Sequence, residues 1–237
     1  MRILLRKKII YYILGIVAII AICMLGSLKI INGVEFSVWT GIWKLPKEVL
    51  NTCTIQNAFD AGVSGWIYIL MPLIVSIPSA SCIMDEIQSK FYLYIEGRKG
   101  KGKYVYSRFF RNIVSAGSIS FLGIGIYTLI IVLIFPINPI YTEVETVGLM
   151  EMSVHMLIGY VFVKFIYMLL YSIAISLFAS LLVLIYQNLY FDLSIVFILN
   201  YIFKDFFMKN KILYPVVIIA VMFILYHIVW KIRGEKN

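Results

Sequence analysis

Charged residues are absent from long stretches of the chain. In the first 142 residues, three windows of at least 20 residues contain no Asp, Glu, Lys or Arg, and they run over 9–28, 61–84 and 112–142. A helix needs about 20 apolar residues to cross the hydrocarbon core of a bilayer. The pattern therefore predicts membrane-spanning helices over residues 9–28, 61–84 and 113–135.

The second half of the chain predicts three further spans. Between 152 and 203 the only charged residues are Lys164 and Asp192, and this stretch is too long for one crossing. A division at Tyr186-Gln187-Asn188, its most polar point, yields spans over 155–184 and 189–206. The last apolar run predicts a sixth span over 212–230.

Composition excludes a soluble or a disordered chain. Hydrophobic residues make up 62% of the 237 residues and charged residues only 14%, against about 45–50% and 25% in soluble domains. A soluble fold of this size buries only about 70–75% of its surface, which is too little for so much apolar area. We therefore expect an all-α polytopic membrane protein with a single domain over 1–237. The three scattered cysteines predict neither a disulfide framework nor a metal site.

The placement of Lys and Arg predicts the orientation of the spans. Of the 21 basic residues, 14 lie in the N-terminal segment, in the loop 85–112 and in the C-terminal tail. An even number of spans puts these three segments on the same side, and basic loops are retained in the cytoplasm. We therefore expect both termini to be cytoplasmic. This asymmetry accounts for the net charge of +9, so no nucleic-acid partner is expected.

The loop 85–112 between the second and third spans is long and polar. It opens with Asp85 and Glu86, and its apolar positions have the spacing of a short amphipathic helix: Ile87, Phe91, Tyr94 and Ile95. Glycines at 97, 100 and 102 are expected to end this helix in a flexible basic turn. Such a helix is suited to docking a partner. The alternative is a basic loop that only sets topology and touches anionic headgroups.

From Glu86 to Arg108 the loop alternates acidic, aromatic and basic residues in a recognisable order. The residues that carry the pattern are Glu86, Lys90, Phe91, Tyr94, Arg98, Lys103, Tyr104, Ser107 and Arg108. With six spans and both ends inside, the chain resembles the permease subunits of ABC-2-type ABC transporters. In that family this segment is the coupling helix, which lies in a cleft of a separate ATP-hydrolysing subunit.

The resemblance implies the partners and the site residues. ATPase coupling would fall on Asp85, Glu86, Lys90, Phe91, Tyr94, Glu96, Gly97, Arg98, Lys103, Tyr104 and Arg108. The chain itself would hold no cofactor, because ATP and magnesium would bind to the partner ATPase. A second permease, identical or homologous, would complete the translocation path in a bacterial plasma membrane. The expected function is export of an amphipathic or hydrophobic substrate, such as a peptide or a drug-like molecule.

Lys164 is the charged residue predicted to lie inside a span. A charge at that depth costs about 2.5–3.5 kcal/mol unless it reaches the interface or pairs. With Tyr160 and Tyr167 nearby it is a candidate for the substrate path, where it would meet an anionic group of the substrate. The alternative is a lysine whose four-carbon stem extends to the headgroups.

Two other functions are compatible with parts of the sequence. A substrate-binding component of a shared energizing complex would dock through small residues on span one, which has Gly15 and Ala18 but lacks an AxxxA repeat. A rhomboid-like protease would use Ser64 of Gly62-Val63-Ser64-Gly65, yet the orientation places His227 on the order of 20 Å deeper. His155 is at the outer edge and could approach Ser64, but nothing in the sequence places it there.

The basic turn also contains the first part of a nucleotide-binding motif. Residues 97–103 match the GxxxxGK of a phosphate-binding loop. Tyr104 then stands where that loop needs a Ser or Thr to bind magnesium. We therefore expect no enzymatic activity in this chain and place ATP hydrolysis on the partner.

Overall fold

The computed structural model describes residues 2–29, 35–44, 46, 53–137, 154–207 and 212–235. The described elements, in chain order, are α1 (Arg2–Met24), β1 (Ser27–Lys29), β2 (Glu35–Ser37), α2 (Val38–Lys44), α3 (Ile55–Val63), α4 (Trp66–Gln88), α5 (Phe91–Lys99), α6 (Lys101–Ile134), α7 (Val154–Tyr186), α8 (Leu189–Phe207) and α9 (Leu213–Glu235).

The helices have the length and composition of membrane spans. Within the described residues, four of them are long and apolar enough to cross a bilayer, namely α4, α6, α7 and α9. Two others contain shorter apolar segments, Ile9–Met24 in α1 and Leu189–Ile202 in α8. The prediction of a helical membrane protein is confirmed at this level.

Several helix bounds differ from the predicted spans. α1 ends at Met24 instead of 28, because Leu28 already pairs with Phe36 in an antiparallel hairpin of β1 and β2. The window 61–84 is not one helix, since the chain breaks at Ser64 and Gly65 between α3 and α4. α6 begins at Lys101 instead of 113. By contrast, α7, α8 and α9 cover the predicted spans 155–184, 189–206 and 212–230 to within a few residues.

α4 and α7 lie side by side at the centre of the bundle. α6 packs against both of them, α1 packs on α4 and α6, α8 on α4 and α7, and α9 mainly on α7. One end of the bundle, which we call the basic end, consists of residues 85–111 and the neighbouring turns of α9. The opposite end, the far end, carries the hairpin, α2 and α3.

A line of buried polar side chains, the serine seam, joins α7 to its neighbours. Its members are Ser79 on α4, Asn112 and Ser120 on α6, and Ser172, Ser176 and Ser180 on α7. The three α7 serines are four residues apart and therefore share one face of the helix. Their hydroxyls bond across to Ser120 at 2.6 Å, to Ser79 at 3.0 Å and to Asn112 at 2.7 Å. Small side chains of this kind let helices approach closely in lipid.

Pro72 interrupts the hydrogen bonding of α4, and two other helices repair it. A proline has no N–H, so the Tyr68 carbonyl four residues earlier loses its helical donor. Asn200 of α8 donates to that carbonyl at 2.5 Å, and the Tyr171 hydroxyl of α7 donates to it at 3.1 Å. Asn200 also donates to the Ile69 carbonyl at 3.2 Å. α4 therefore stays intact only with α7 and α8 in place.

At the far end, two glycines allow α3 to pack closely. Gly26 lies against the Ala61 carbonyl and Gly62 lies against the Tyr127 ring, with no room for a Cβ at either position. The Tyr127 hydroxyl donates to the Ala58 carbonyl at 2.6 Å. α3 is thereby fixed across α1 and α6.

We expect Gly62→Ala to destabilise the protein by about 1–3 kcal/mol, because the added methyl group must displace the Tyr127 ring. Gly125→Ala on α6 is the matched control, since a Cβ there meets nothing within 4 Å. It should be neutral or stabilising by up to about 1 kcal/mol. Thermal unfolding in detergent, followed by circular dichroism, measures both. Equal melting temperatures for the two variants would contradict the close packing of α3 on α6.

Candidate functional site

α5 is a short helix at the basic end, bounded by two residues with left-handed backbone. Lys90 has a φ of 53° and Gly100 a φ of 82°. Before α5, the Ser89 N–H donates to the Asp85 carbonyl at 3.0 Å and closes the last turn of α4. After α5, glycine adopts positive φ without the strain that a side chain adds. The nine residues of α5 are therefore joined to α4 and α6 by sharp bends.

The predicted amphipathic helix is present in shifted form. Ile87 belongs to the last turns of α4, and α5 begins at Phe91. Gly97 lies within α5 and Gly102 within the first turn of α6, so the expected flexible glycine turn is a single break at Gly100. The GxxxxGK run accordingly lies in the end of one helix and the start of the next.

The aromatic residues of α5 divide between two faces. Tyr92 is buried and packs against Trp230 of α9, with ring centroids 5.9 Å apart. Phe91 and Tyr94 are 50% and 64% exposed, and their rings stack at 6.0 Å. Tyr104 meets Trp230 edge-on at 5.1 Å. α5 is thus held to the bundle through Tyr92, which the sequence pattern did not single out, and presents Phe91 and Tyr94 outward.

An ionic cluster beside α5 connects the end of α4 to the start of α6. Glu86 forms an ion pair with Arg108 and accepts a hydrogen bond from the Tyr104 hydroxyl at 2.8 Å. The Arg108 Nη1 donates to Cys82 Sγ at 3.4 Å, and its guanidinium lies 5.7 Å from the centre of the Tyr104 ring. We call these four residues the Glu86 cluster.

Burial makes the Glu86 cluster a rigid connection. Only 5% of the Arg108 side chain and 13% of the Glu86 side chain are exposed. Opposite charges that are shielded from water attract more strongly than an exposed pair, and removing one partner leaves the other uncompensated. The Glu86 cluster therefore ties α4 to α6 across the base of α5.

The other predicted coupling residues lie on the surface of this end. Exposed positions include Asp85, Lys90, Gly97, Arg98, Lys103 and Ser107, while the side chain of Glu96 lies outside the described residues. The structure therefore brings together Glu86, Tyr104 and Arg108. It adds Cys82 and Trp230, whose contacts depend on helix packing and have no local sequence signal.

A second charged group lies at the far end, where Lys164 pairs with Asp60 of α3. The Lys164 Nζ is 2.6 Å from Asp60 Oδ1 and 4.5 Å from the centre of the Tyr160 ring. The Tyr160 hydroxyl donates to Asp60 Oδ2 at 2.8 Å. Lys164 is 22% exposed and Asp60 is 34% exposed, so water reaches the pair. The sequence analysis placed Lys164 beside Tyr160 but did not identify Asp60.

Tyr167 has a different environment from the other two predicted substrate-path residues. It is fully buried, stacks on Tyr171 at 6.2 Å and lies 6.5 Å from the Tyr68 ring. These rings belong to the packing of α7 against α4. Tyr167 therefore stabilises the bundle and does not line the surface beside Lys164.

An apolar groove of about 720 Å³ lies at the same end of the bundle as the pair of Lys164 and Asp60. It lies between the C-terminal part of α6 and the N-terminal part of α7, and Val132, Val161 and Phe165 are among its lining residues. Ile55 of α3 also lines it. The charged pair and the groove thus share the same two helices, α3 and α7.

Ser64 and His227 lie near opposite ends of α4. The Ser64 hydroxyl donates to the Ala61 carbonyl at 3.3 Å, just before α4 begins. His227 packs against Tyr106 and Phe223 at the basic end. α4 has 23 residues and spans roughly 35 Å. His227 is therefore out of reach of Ser64 in this arrangement.

Among the described residues, no group of three or more His, Cys, Asp or Glu is placed to hold a metal ion. Asp192 is buried in the first turn of α8, and neither of its carboxylate oxygens has a hydrogen-bond partner in the described part of the chain. The first turn of a helix favours a negative charge. Asp192 lies on a different helix from both charged groups above.

Comparison with known proteins finds no match to a protein family, to a curated protein or to a solved structure.

We expect the pair of Asp60 and Lys164 to show coupled stability. Asp60→Asn leaves a lysine without its counter-ion in an apolar span, and Lys164→Met leaves a carboxylate there. Each single variant should lose about 1–2 kcal/mol, and the double variant should lose about 1 kcal/mol less than the sum, because no uncompensated charge remains. The free energies of unfolding in detergent of wild type, the two single variants and the double variant give this double-mutant cycle. Tyr160→Phe is the control that keeps both charges. Strict additivity would show that the two groups do not interact.

Proposed function

We propose that the chain is the permease subunit of an ATP-driven exporter of the ABC-2 type, with energy supplied by a separate ATPase subunit. The observation that carries the proposal is α5, a short helix at the basic end with two exposed aromatic side chains, Phe91 and Tyr94, that point away from the bundle. Exposed stacked rings on a polar segment are suited to docking a partner.

The attachment of α5 supports its use as a coupling helix. Its two ends are bends at Lys90 and Gly100, while its base is held by Tyr92 on Trp230. The Glu86 cluster connects the adjoining helices α4 and α6. A force applied to Phe91 and Tyr94 would therefore reach three apolar helices, α4, α6 and α9, at once.

The proposed membrane topology has six spans with both termini in the cytoplasm of a bacterial cell. α1 and α8 would cross together with the four longer helices, since they pack on α4 and continue the same bundle. The basic end would then face the cytoplasm, in keeping with its content of Lys and Arg. A second permease, identical or homologous, would close the translocation path on the other side.

The proposed substrate is amphipathic or hydrophobic. The groove beside α7 is lined mainly by apolar and aromatic side chains. Lys164 and Tyr160 lie on the same helix, and Asp60 lies on α3. An apolar body could lie in the groove while a polar group meets the charged pair. Tyr167 would contribute through packing alone.

We expect both termini to be accessible from the cytoplasmic side only. Protease-sensitive tags at residue 1 and at residue 237 should be cut in inside-out vesicles and protected in right-side-out vesicles, because an even number of spans separates them. A tag between Ile137 and Val154 serves as the control and should show the opposite behaviour. Tags that are cut on different sides would contradict six spans.

We expect Tyr94→Ala to weaken association with the partner ATPase at least fivefold while leaving the bundle folded, because Tyr94 is 64% exposed and stacks on Phe91 of the same helix. The measurement is ATP hydrolysis that co-purifies with the tagged chain from the membranes of its own cells. Tyr190→Ala is the matched control, an exposed tyrosine at the same end that lies outside α5.

Tyr190→Ala should retain association within about twofold, since aromatic residues outside a contact contribute little to binding. Wild-type chain that purifies without ATP-hydrolysing activity would contradict the proposal itself. Unchanged association in Tyr94→Ala would contradict the role of α5 in docking, but it would not contradict the presence of a partner ATPase.

A further inference from the structure

α5 and α6 enclose a recess of about 210 Å³ at the basic end. Phe91, Tyr94 and Ile95 form its α5 wall, and Tyr104, Ser107 and Arg108 belong to its α6 side. Two further arginines, Arg98 of α5 and Arg111 of α6, complete the lining. Three arginines therefore contribute to the lining of this small recess.

The charge in this recess is not balanced. Arg108 is paired with Glu86, and its guanidinium is near enough to feel the like charge of Arg111. In the part of the chain that the structure describes, no carboxylate forms an ion pair with Arg98 or Arg111, and both side chains are exposed. Like charges held close together are unfavourable unless an anion neutralises them. The recess is therefore an anion site by its electrostatics.

The position of the recess along the helices indicates which anion it meets. Arg111 is the last charged residue before the charge-free window 112–142, and Asp85 is the first one after the window 61–84. The floor of the recess thus lies where the apolar spans meet the polar end, which is the level of lipid headgroups.

We propose that the recess between α5 and α6 binds the phosphate of an anionic phospholipid. The planar guanidinium groups of Arg98 and Arg111 can each donate two hydrogen bonds to phosphate oxygens, and the Ser107 hydroxyl is available as a further donor. This inference does not require a partner ATPase, because lipid binding depends on the chain and the bilayer alone.

The test compares lipid binding by purified protein in detergent. Phosphatidylglycerol and phosphatidylcholine with the same acyl chains are titrated against three proteins, and lipid binding is measured by native mass spectrometry. The proteins are wild type, the recess variant Arg98→Gln/Arg111→Gln and the control variant Lys44→Gln/Lys231→Gln. The control removes the same number of exposed charges outside the recess. Wild type should prefer phosphatidylglycerol about tenfold, and the recess variant should lose that preference, since each basic group at a membrane surface contributes about 1 kcal/mol. The control should stay within about twofold of wild type.

Three results would overturn the proposal. Equal binding of the two lipids by wild type would indicate that the recess binds an acidic side chain of a protein partner instead of a lipid phosphate. An equal loss of the preference for phosphatidylglycerol in the control variant would show that the preference comes from diffuse attraction to the basic surface. Displacement of phosphatidylglycerol by inorganic phosphate would make the recess a site for a small free anion. If the double variant does not give monodisperse protein, Arg111→Gln alone carries the same comparison, because Arg111 is exposed.

Discussion

Lipid offers no hydrogen bonds, so a buried polar group of the bundle is stabilised only where it finds a partner within the protein. The serine seam meets this demand on α7, where Ser172, Ser176 and Ser180 bond to α4 and α6. The same requirement explains why Asn200 reaches the carbonyl that Pro72 leaves free. The hydrogen bonds that satisfy the interior are therefore also the ones that fix the position of α7 relative to α4, α6 and α8.

Because the interior is held in this way, changes of backbone direction are confined to the ends. Positive φ angles in the described residues at Gly65, Lys90 and Gly100 mark three such places at the ends of α4 and α5. Charged groups lie near these bends. Asp60 lies shortly before Gly65, and the Glu86 cluster connects the end of α4 to the start of α6. Ion pairs thus stabilise the bundle where helical hydrogen bonding stops.

The sequence predicted those features that depend on local pattern. Apolar windows with few or no charges, and the polar break at 186–188, were enough for α7, α8 and α9, because an apolar run of sufficient length leaves a helix as the only way to satisfy its backbone in lipid. The break before α4 was not predicted, since Gly65 lies within an apolar window and the packing of Tyr127 on α3 is a distant contact. The partner of Lys164 was missed for the same reason, because Asp60 is 104 residues away in sequence. Likewise Phe91 and Tyr92 are adjacent aromatic residues, and only the position of Trp230 decides which of them is buried.

α4 is the element through which the two ends of the molecule can communicate. It begins at the Gly65 bend that follows Asp60 and ends beside Glu86, a distance of roughly 35 Å along one helix. Pro72 and Pro78 would make an isolated helix of this kind prone to bending, but the bonds from α7 and α8 to the Tyr68 carbonyl stiffen its first half. In the proposed exporter, bending in response to a displacement of Glu86 would therefore be confined to the half of α4 that contains Pro78, because the half at Tyr68 is fixed to α7 and α8.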